Sequence, residues 1–195
     1  ANENRFGHLP IDWVVSSPEA GFLFPAFNDR GTDLYGALYY SRDTAANHQA
    51  FVDAIFRVEP PMPADAQKET FQSILSDSLS DDCSLEVVQG VHGKLREMIE
   101  VHKESKETEP LVISQRVVKR VLADCGVSSE HAETFEARYA AEFGDGRELS
   151  PRNLVDLRRT EIKTPDVTIQ VSPEREDLVQ TRVIDGVKYL LIRAD

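Results

Sequence analysis

Apolar residues recur at helical spacing through the middle of the chain, from about residue 44 to residue 157. In the first segment, Phe51, Ala54, Ile55 and Val58 fall at i, i+3, i+4 and i+7, which is one face of a helix. A proline-rich stretch at 60–63 ends that segment. The same spacing predicts helices over 44–58, 64–79, from Ser84 to about 102, from Ser114 to Gly126, over 129–143 and over 150–157.

The predicted third helix carries a narrow apolar seam. Its spacing of 3-4-3-4-3 is typical of one face of a coiled coil or of an antiparallel helix pair. The seam consists of Leu85, Val88, His92, Leu95, Ile99 and His102. Three heptads are too few to define an oligomer, and the two histidines are expected to make packing or pH-sensitive contacts.

Both ends of the chain have strand patterns. Near the N-terminus, residues 22–27 and 34–40 are aromatic-rich and predict two strands around a six-residue turn at 28–33. Both runs are apolar on both faces, so we expect the pair to be covered on both sides. Pro25 favours an edge or a bulge. Residues 12–15 fit either a short strand or part of a helix.

The C-terminal region changes from helical to strand spacing. Val167, Ile169 and Val171 alternate, and Asp185-Gly186 joins two β-rich runs at 178–184 and 187–192, which is a strong hairpin signal. The order predicts an α+β fold, with antiparallel β-hairpins at both ends of the chain and a central group of about five to six helices. This order also allows the strands at the two ends of the chain to share one sheet.

The sequence allows two domain organisations. Residues 1–195 are expected to form a single α+β domain that is a fragment of a longer protein, because the chain begins without Met and without an apolar leader. The alternative places the charged run at 103–110 between an N-terminal lobe, 1–105, and a C-terminal lobe, 110–195.

Composition and charge mainly exclude certain classes of protein and of partner. The chain is 41% hydrophobic and 29% charged, so it lies outside the disordered class. Its 34 acidic and 22 basic residues give a net charge of −12, and none of four consecutive segments is net basic. Nucleic acid and anionic membranes are therefore disfavoured as partners. The apolar runs are too short to span a bilayer.

The sequence contains no specific catalytic, metal or phosphate motif. Cys83 and Cys125 are too few for a disulfide scaffold and favour a reducing cytoplasm. None of the five histidines stands at i+3 or i+4 from another, so we assign no metal and no cofactor.

Weak candidates for a site are dispersed. Asp29 and Arg30 lie in the predicted N-terminal turn, where turn chemistry explains them equally well. Arg158 and Arg159 lie in a cationic cluster that Arg116, Lys119, Arg120, Arg152 and Lys163 could extend. Ion pairs with Asp156 and Glu161 are the commoner outcome for such a cluster.

Residues 122–128 resemble the tight turn of a helix-turn-helix. A recognition helix presents its first turns to the DNA major groove. The helix that follows this turn carries Glu130, Glu133 and Glu136 there, with only Arg138 of opposite sign. An ordinary helical hairpin is therefore the favoured interpretation.

Several long segments resemble one bacterial family of unknown function, number 4317 in the domain-of-unknown-function series. They lie at 12–15, 21–30, 67–71, 164–171 and 182–186, and the resemblance covers nearly the whole chain. It implies the C-terminal half of a larger protein from Firmicutes. It implies no activity and no catalytic residues.

The leading hypothesis is a non-catalytic cytoplasmic module that contacts a protein partner or the missing N-terminal half of the same protein. The alternative is an enzyme or small-ligand-binding domain with a site built from Asp29, Arg30, Arg158 and Arg159. Nucleic-acid binding through the hairpin at 122–128 is a weaker third hypothesis. The oligomeric state stays open.

Overall fold

A computed structural model describes residues 16–28, 31–163 and 166–194. Five α-helices follow one another: α1 (Gln49–Ile55), α2 (Ala64–Leu79), α3 (Leu85–Ser105), α4 (Gln115–Asp124) and α5 (Ser129–Phe143). Short 3-10 turns occupy Ser80–Asp82, Pro151–Asn153 and Pro173–Leu178. Eight strands flank the helices, so the predicted α+β class, with hairpins near both ends, is confirmed.

The core lies between α2, α3, α4 and α5. All four predicted inward positions of α2, namely Phe71, Ile74, Leu75 and Leu79, are buried. Phe71 meets Phe135 of α5 edge to face, with ring centroids 5.9 Å apart, and Tyr139 lies one helical turn beyond. The core contains residues from both sides of the charged run at 103–110.

The apolar seam of α3 packs against other parts of the same chain. Ser84 caps the helix as its position predicts, because its Oγ accepts a hydrogen bond from the Val87 N–H at 3.2 Å. From His92 to His102 the seam residues are buried, and Leu95 and Ile99 belong to the shared core. Packing inside one chain therefore accounts for the pattern.

Two predicted helices are shorter than their patterns indicated. The first covers only Gln49–Ile55, because the preceding residues form a turn in which the Asp43 carboxylate accepts from the Ala45 N–H at 3.0 Å. Val52 is the buried residue, and Ile55 and Val58 are exposed, so the predicted face was wrong. The segment predicted at 150–157 forms only the 3-10 turn Pro151–Asn153.

The predicted N-terminal hairpin is confirmed, but each of its two sides is divided into two short strands. β1 (Ala20–Leu23) pairs with β4 (Leu38–Ser41), and β2 (Ala26–Asn28) pairs with β3 (Gly31–Asp33). Four residues of the expected six-residue turn, Asn28 and Gly31–Asp33, are therefore strand. The chain reverses between β2 and β3, and a further turn follows β3, where Asp33 Oδ1 accepts from the N–H groups of Tyr35 and Gly36 at 3.0 and 2.9 Å. The segment 12–15 lies outside the described residues.

The C-terminal hairpin is confirmed. β7 (Val179–Ile184) pairs with β8 (Val187–Ile192), and Asp185 and Gly186 take the positive φ angles, 51° and 78°, that a tight hairpin turn requires. β5 (Thr160–Lys163), which the sequence did not predict, pairs with β6 (Thr168–Val171). The described strands form four separate two-stranded sheets, so the shared terminal sheet was wrong.

Candidate functional site

A cavity of about 490 Å³ lies where the helices meet the C-terminal strands. Side chains from α2, α3, β5 and the β7–β8 hairpin surround it. Its apolar wall includes Leu75, Val88, Ile162 and Leu190. This size and this mainly apolar lining are typical of small-molecule sites.

A polar network fixes the C-terminal strands against α3 beside this cavity. Arg96 of α3 donates through Nη1 to Glu176 Oε1 at 2.7 Å and through Nη2 to Thr160 Oγ1 at 2.8 Å. Thr160 Oγ1 in turn donates to the same carboxylate. Arg96 Nε also reaches the carbonyl of Asp156 at 3.0 Å. Arg96 and Glu176 side chains are only 13% and 18% exposed, so the pair is poorly screened by solvent.

Two buried polar atoms of the cavity wall lack hydrogen-bond partners among the described residues. They are His92 Nε2 and Thr181 Oγ1. His92 is 5% exposed. Burial, reinforced by the positive charge of Arg96, lowers the pKa of His92 to about 4. At neutral pH the cavity therefore presents an uncharged imidazole and a hydroxyl with unused hydrogen-bonding capacity.

A second feature is an apolar surface on the N-terminal strands. We call it the aromatic surface, and its exposed members are Phe22, Leu23, Phe24, Phe27, Leu34, Tyr35, Leu38 and Tyr40. Phe27 is 58% exposed and Tyr35 is 97% exposed. The expectation that both faces of these strands are covered was therefore wrong for the described chain.

One side of the aromatic surface rests on α1. Phe22 lies 6.3 Å from Phe51 and 5.3 Å from Phe56, measured between ring centroids, and Tyr39 lies 6.2 Å from Phe51. These contacts hold β1 and β4 against the helix and leave the remaining apolar side chains in solvent. Exposed apolar patches of this kind are typical of interaction sites.

The residues predicted for a dispersed site are not brought into the cavity in the described structure. Asp29 and Arg30 lie outside the described residues. Arg158 and Arg159 are exposed, and their backbone N–H groups donate to Asp156 Oδ1 at 2.8 and 3.2 Å. These hydrogen bonds lower the pKa of Asp156. The Asp156 carboxylate therefore binds Arg158 and Arg159 at their backbone N–H groups.

The segment at 122–128 connects two packed helices. Lys119 of α4 and Glu136 of α5 form an ion pair at 2.7 Å across the hairpin. Ala132, Phe135 and Tyr139 of α5 are buried. The exposed side of this helix carries Glu130 and Glu133, which would repel a phosphate backbone.

Other chemistry is sparse in the described ranges. Cys83 and Cys125 are free thiols, and burial raises the pKa of Cys125. Residues 16–28, 31–163 and 166–194 contain no group of three or more His, Cys, Asp or Glu side chains placed to hold a metal ion. No helix in these ranges has the length and apolarity needed to cross a membrane.

Asp82 supports the start of α5 from outside the helix. Its Oδ2 accepts from the Ser128 N–H at 3.1 Å and contacts His131 Nδ1 at 2.7 Å. The hydrogen bond with His131 and those with Ser128 lower the pKa of Asp82. The carboxylate therefore stabilises the fold above its ordinary pKa, and this contribution is lost as the pH falls through the lowered value.

We accordingly expect Asp82→Asn to lower the melting temperature by about 2 to 4 °C at pH 7. The difference from the unsubstituted chain should shrink as the pH falls through the lowered pKa of Asp82. Thermal unfolding followed by circular dichroism measures both. Asp77→Asn is the matched control, because the Asp77 ion pair with Arg138 is half exposed and contributes little. Equal shifts for both variants at pH 7 would contradict the assigned role.

The sequence pointed to only part of the cavity. His92 was singled out as a seam residue, but Arg96 and Thr181 were not, because neither stands in a motif. Glu176 lies 80 positions after Arg96. A pairing at that separation depends on tertiary packing, which local spacing does not encode.

Comparison with known proteins gives one match. The family described as Domain of unknown function (DUF4317) matches residues 1–195. No curated protein and no solved structure matches the chain. The function must therefore be argued from the geometry of the cavity and of the aromatic surface.

Proposed function

Because the chain belongs to the family described as Domain of unknown function (DUF4317), we propose its function from its own structure: it is a non-catalytic protein-interaction module. The aromatic surface is the observation that carries this proposal. A cytoplasmic bacterial setting, and a place in the C-terminal half of a longer protein, belong to the proposal as well. The resemblance of its motifs and the two free thiols support them.

Two strands of the aromatic surface, β1 and β4, lack the charged residues and prolines that protect an open sheet edge. β1 and β4 contain no charged residue and no proline. Among the described residues, β1 has a strand partner on one edge only. Natural edge strands usually carry lysine, proline or a bulge that prevents pairing with another chain. An uncharged edge beside exposed aromatic side chains is suited to strand addition.

Charge indicates what the added strand should be. The described part of residues 16–62 contains five acidic and two basic side chains and no lysine. The whole chain carries −12. A partner segment with alternating apolar side chains and basic flanks would be attracted to this region, whereas an acidic segment would be repelled. We assign the surface to such a segment of a separate partner protein.

The test uses a defined peptide of alternating valine and threonine with two lysines at each end. We expect it to bind the full chain, as measured by fluorescence anisotropy, and to lose about ten-fold in affinity when Phe27 and Tyr35 are both changed to serine. The same peptide with glutamates at its ends should bind more weakly. The control variant is Val101→Ser, which removes an exposed apolar side chain from α3.

Three outcomes would overturn the docking role. These are no binding of the lysine peptide, equal binding of the glutamate peptide, or an equal effect of Val101→Ser. A second copy of the chain could compete with the peptide, and native mass spectrometry would then detect a dimer. That result would mean that the surface mediates self-association and does not bind a separate partner. If a longer version of the protein contains a preceding segment that blocks binding of the peptide, the contact is intramolecular.

A further inference from the structure

We propose that the cavity between α2, α3, β5 and the β7–β8 hairpin binds an uncharged, mainly apolar small molecule that carries a hydroxyl group. Nothing in this inference depends on the docking role of the aromatic surface. It rests on the unpartnered polar atoms of His92 and Thr181 and on the chemistry of the wall around them.

The unpartnered atoms indicate hydrogen bonding to a guest. Leaving a buried polar atom without a partner is unfavourable, and natural folds rarely accept two such atoms in one place. His92 Nε2 and Thr181 Oγ1 both belong to the wall of the same cavity. A neutral imidazole nitrogen and a threonine hydroxyl can between them donate to and accept from one hydroxyl group.

The charges around the cavity exclude an anionic guest. No lysine or arginine belongs to the described wall. Arg96, one helical turn after His92, is engaged with Glu176, Thr160 and the Asp156 carbonyl. A buried phosphate or carboxylate would therefore be left without a counter-ion, which costs several kcal/mol.

A cationic guest is also disfavoured. Glu161 is the acidic residue of the described wall, and it already has a partner within the chain. The exposed area of the wall is mainly apolar, and Leu75, Val88 and Leu190 contribute to it. A volume of about 490 Å³ suits a guest with one or two rings.

The probes are three naphthalenes that differ only in one substituent: 2-naphthol, naphthalene and 2-naphthoate. We expect 2-naphthol to bind the full chain with a dissociation constant of about 0.1 mM, as measured by isothermal titration calorimetry at pH 7. Naphthalene should bind about ten-fold more weakly, because it leaves both polar atoms unpaired. 2-Naphthoate should show no measurable binding.

Substitutions in the cavity wall test whether 2-naphthol binds in this cavity. Thr181→Val and His92→Leu should each weaken 2-naphthol binding about three- to ten-fold and bring it close to that of naphthalene. Thr134→Val is the matched control, because its hydroxyl donates to the Glu130 carbonyl on the exposed side of α5. It should leave the affinity unchanged. A thermal unfolding transition for each variant verifies that it is folded.

Opposite results would overturn the proposal. If 2-naphthol fails to bind, the cavity holds only water. If 2-naphthoate binds equally well, the assigned chemical class is wrong. If Thr181→Val and His92→Leu bind 2-naphthol like the unsubstituted chain, the probe occupies another surface. The lysine peptide should bind Thr181→Val normally, so failure of this inference and failure of the docking role can be told apart.

Discussion

Replacing Arg96 with leucine should lower the free energy of unfolding by about 3 kcal/mol, because it leaves the largely buried Glu176 carboxylate without its counter-ion. The substitution also removes hydrogen bonds to Thr160 Oγ1 and to the carbonyl of Asp156. These contacts connect α3 to the strand region that begins at β5. We therefore expect the C-terminal strands to become sensitive to limited proteolysis before the helices do.

Urea unfolding monitored by circular dichroism measures this loss. Lys94→Leu is the matched control on the same helix, because Lys94 pairs with Glu97 at 3.1 Å where both side chains are half exposed or more. It should cost much less than Arg96→Leu, because an exposed ion pair contributes little to stability. The double variant Arg96→Leu, Glu176→Leu should recover part of the loss, since no buried charge is then left alone. Equal losses for Arg96→Leu and Lys94→Leu would refute the buried network.

The second large effect is a dependence of stability on pH that comes from His92. Its pKa is about 4 in the folded chain and 6.5 as an ordinary histidine. Between these values the unfolded chain binds a proton that the folded chain does not, so stability falls as the pH falls. The loss from this residue should reach about 3 kcal/mol at pH 4 and be small above pH 7.

Comparison with His92→Leu isolates this contribution, because the carboxylates of the chain titrate in both proteins. We expect the difference in unfolding free energy between the two to change by about 3 kcal/mol from pH 7 to pH 4, in favour of the variant at low pH. Urea unfolding at several pH values provides the data. His131→Leu is the control, since His131 is partly exposed and contacts the carboxylate of Asp82. A pH-independent difference for His92→Leu would show that this histidine is not buried in its neutral form.

The helices α2, α3, α4 and α5 could be predicted well because each buries one face in a common core. In α2 the apolar residues at 71, 74, 75 and 79 define that face, and all four are buried. α1 could not be predicted equally well. It is a short helix packed against strands, and the rings of Phe22 and Tyr39 decide which of its residues are covered.

The strands of the N-terminal hairpin could be predicted, but not the interruption between them. Residues 20–41 contain two nested pairs that are present together, β1 with β4 and β2 with β3. The Asp33 carboxylate closes a turn at Tyr35 and Gly36 between β3 and β4, which the aromatic-rich pattern at 34–40 did not indicate. β5 was missed because Thr160–Lys163 shows no alternation of apolar and polar residues strong enough to indicate a strand.

The cavity could be predicted only at His92. Its wall combines residues 72–92 with residues 160–190, and a local pattern carries no information about that juxtaposition. Expecting the aromatic residues at 22–40 to be covered on both faces was reasonable from composition. It was wrong because one side rests on α1 and nothing in the described chain covers the others.

The packing of α2 on α5 has a consequence for synthesis on the ribosome. Phe71 meets Phe135, on the order of 60 residues later in the chain. At about 5 to 20 residues per second, the apolar face of α2 is made roughly 3 to 12 s before its partner exists. During that interval Phe71 is without the ring that it packs against. The part of the core between α2 and α5 can therefore form only after synthesis has passed residue 135.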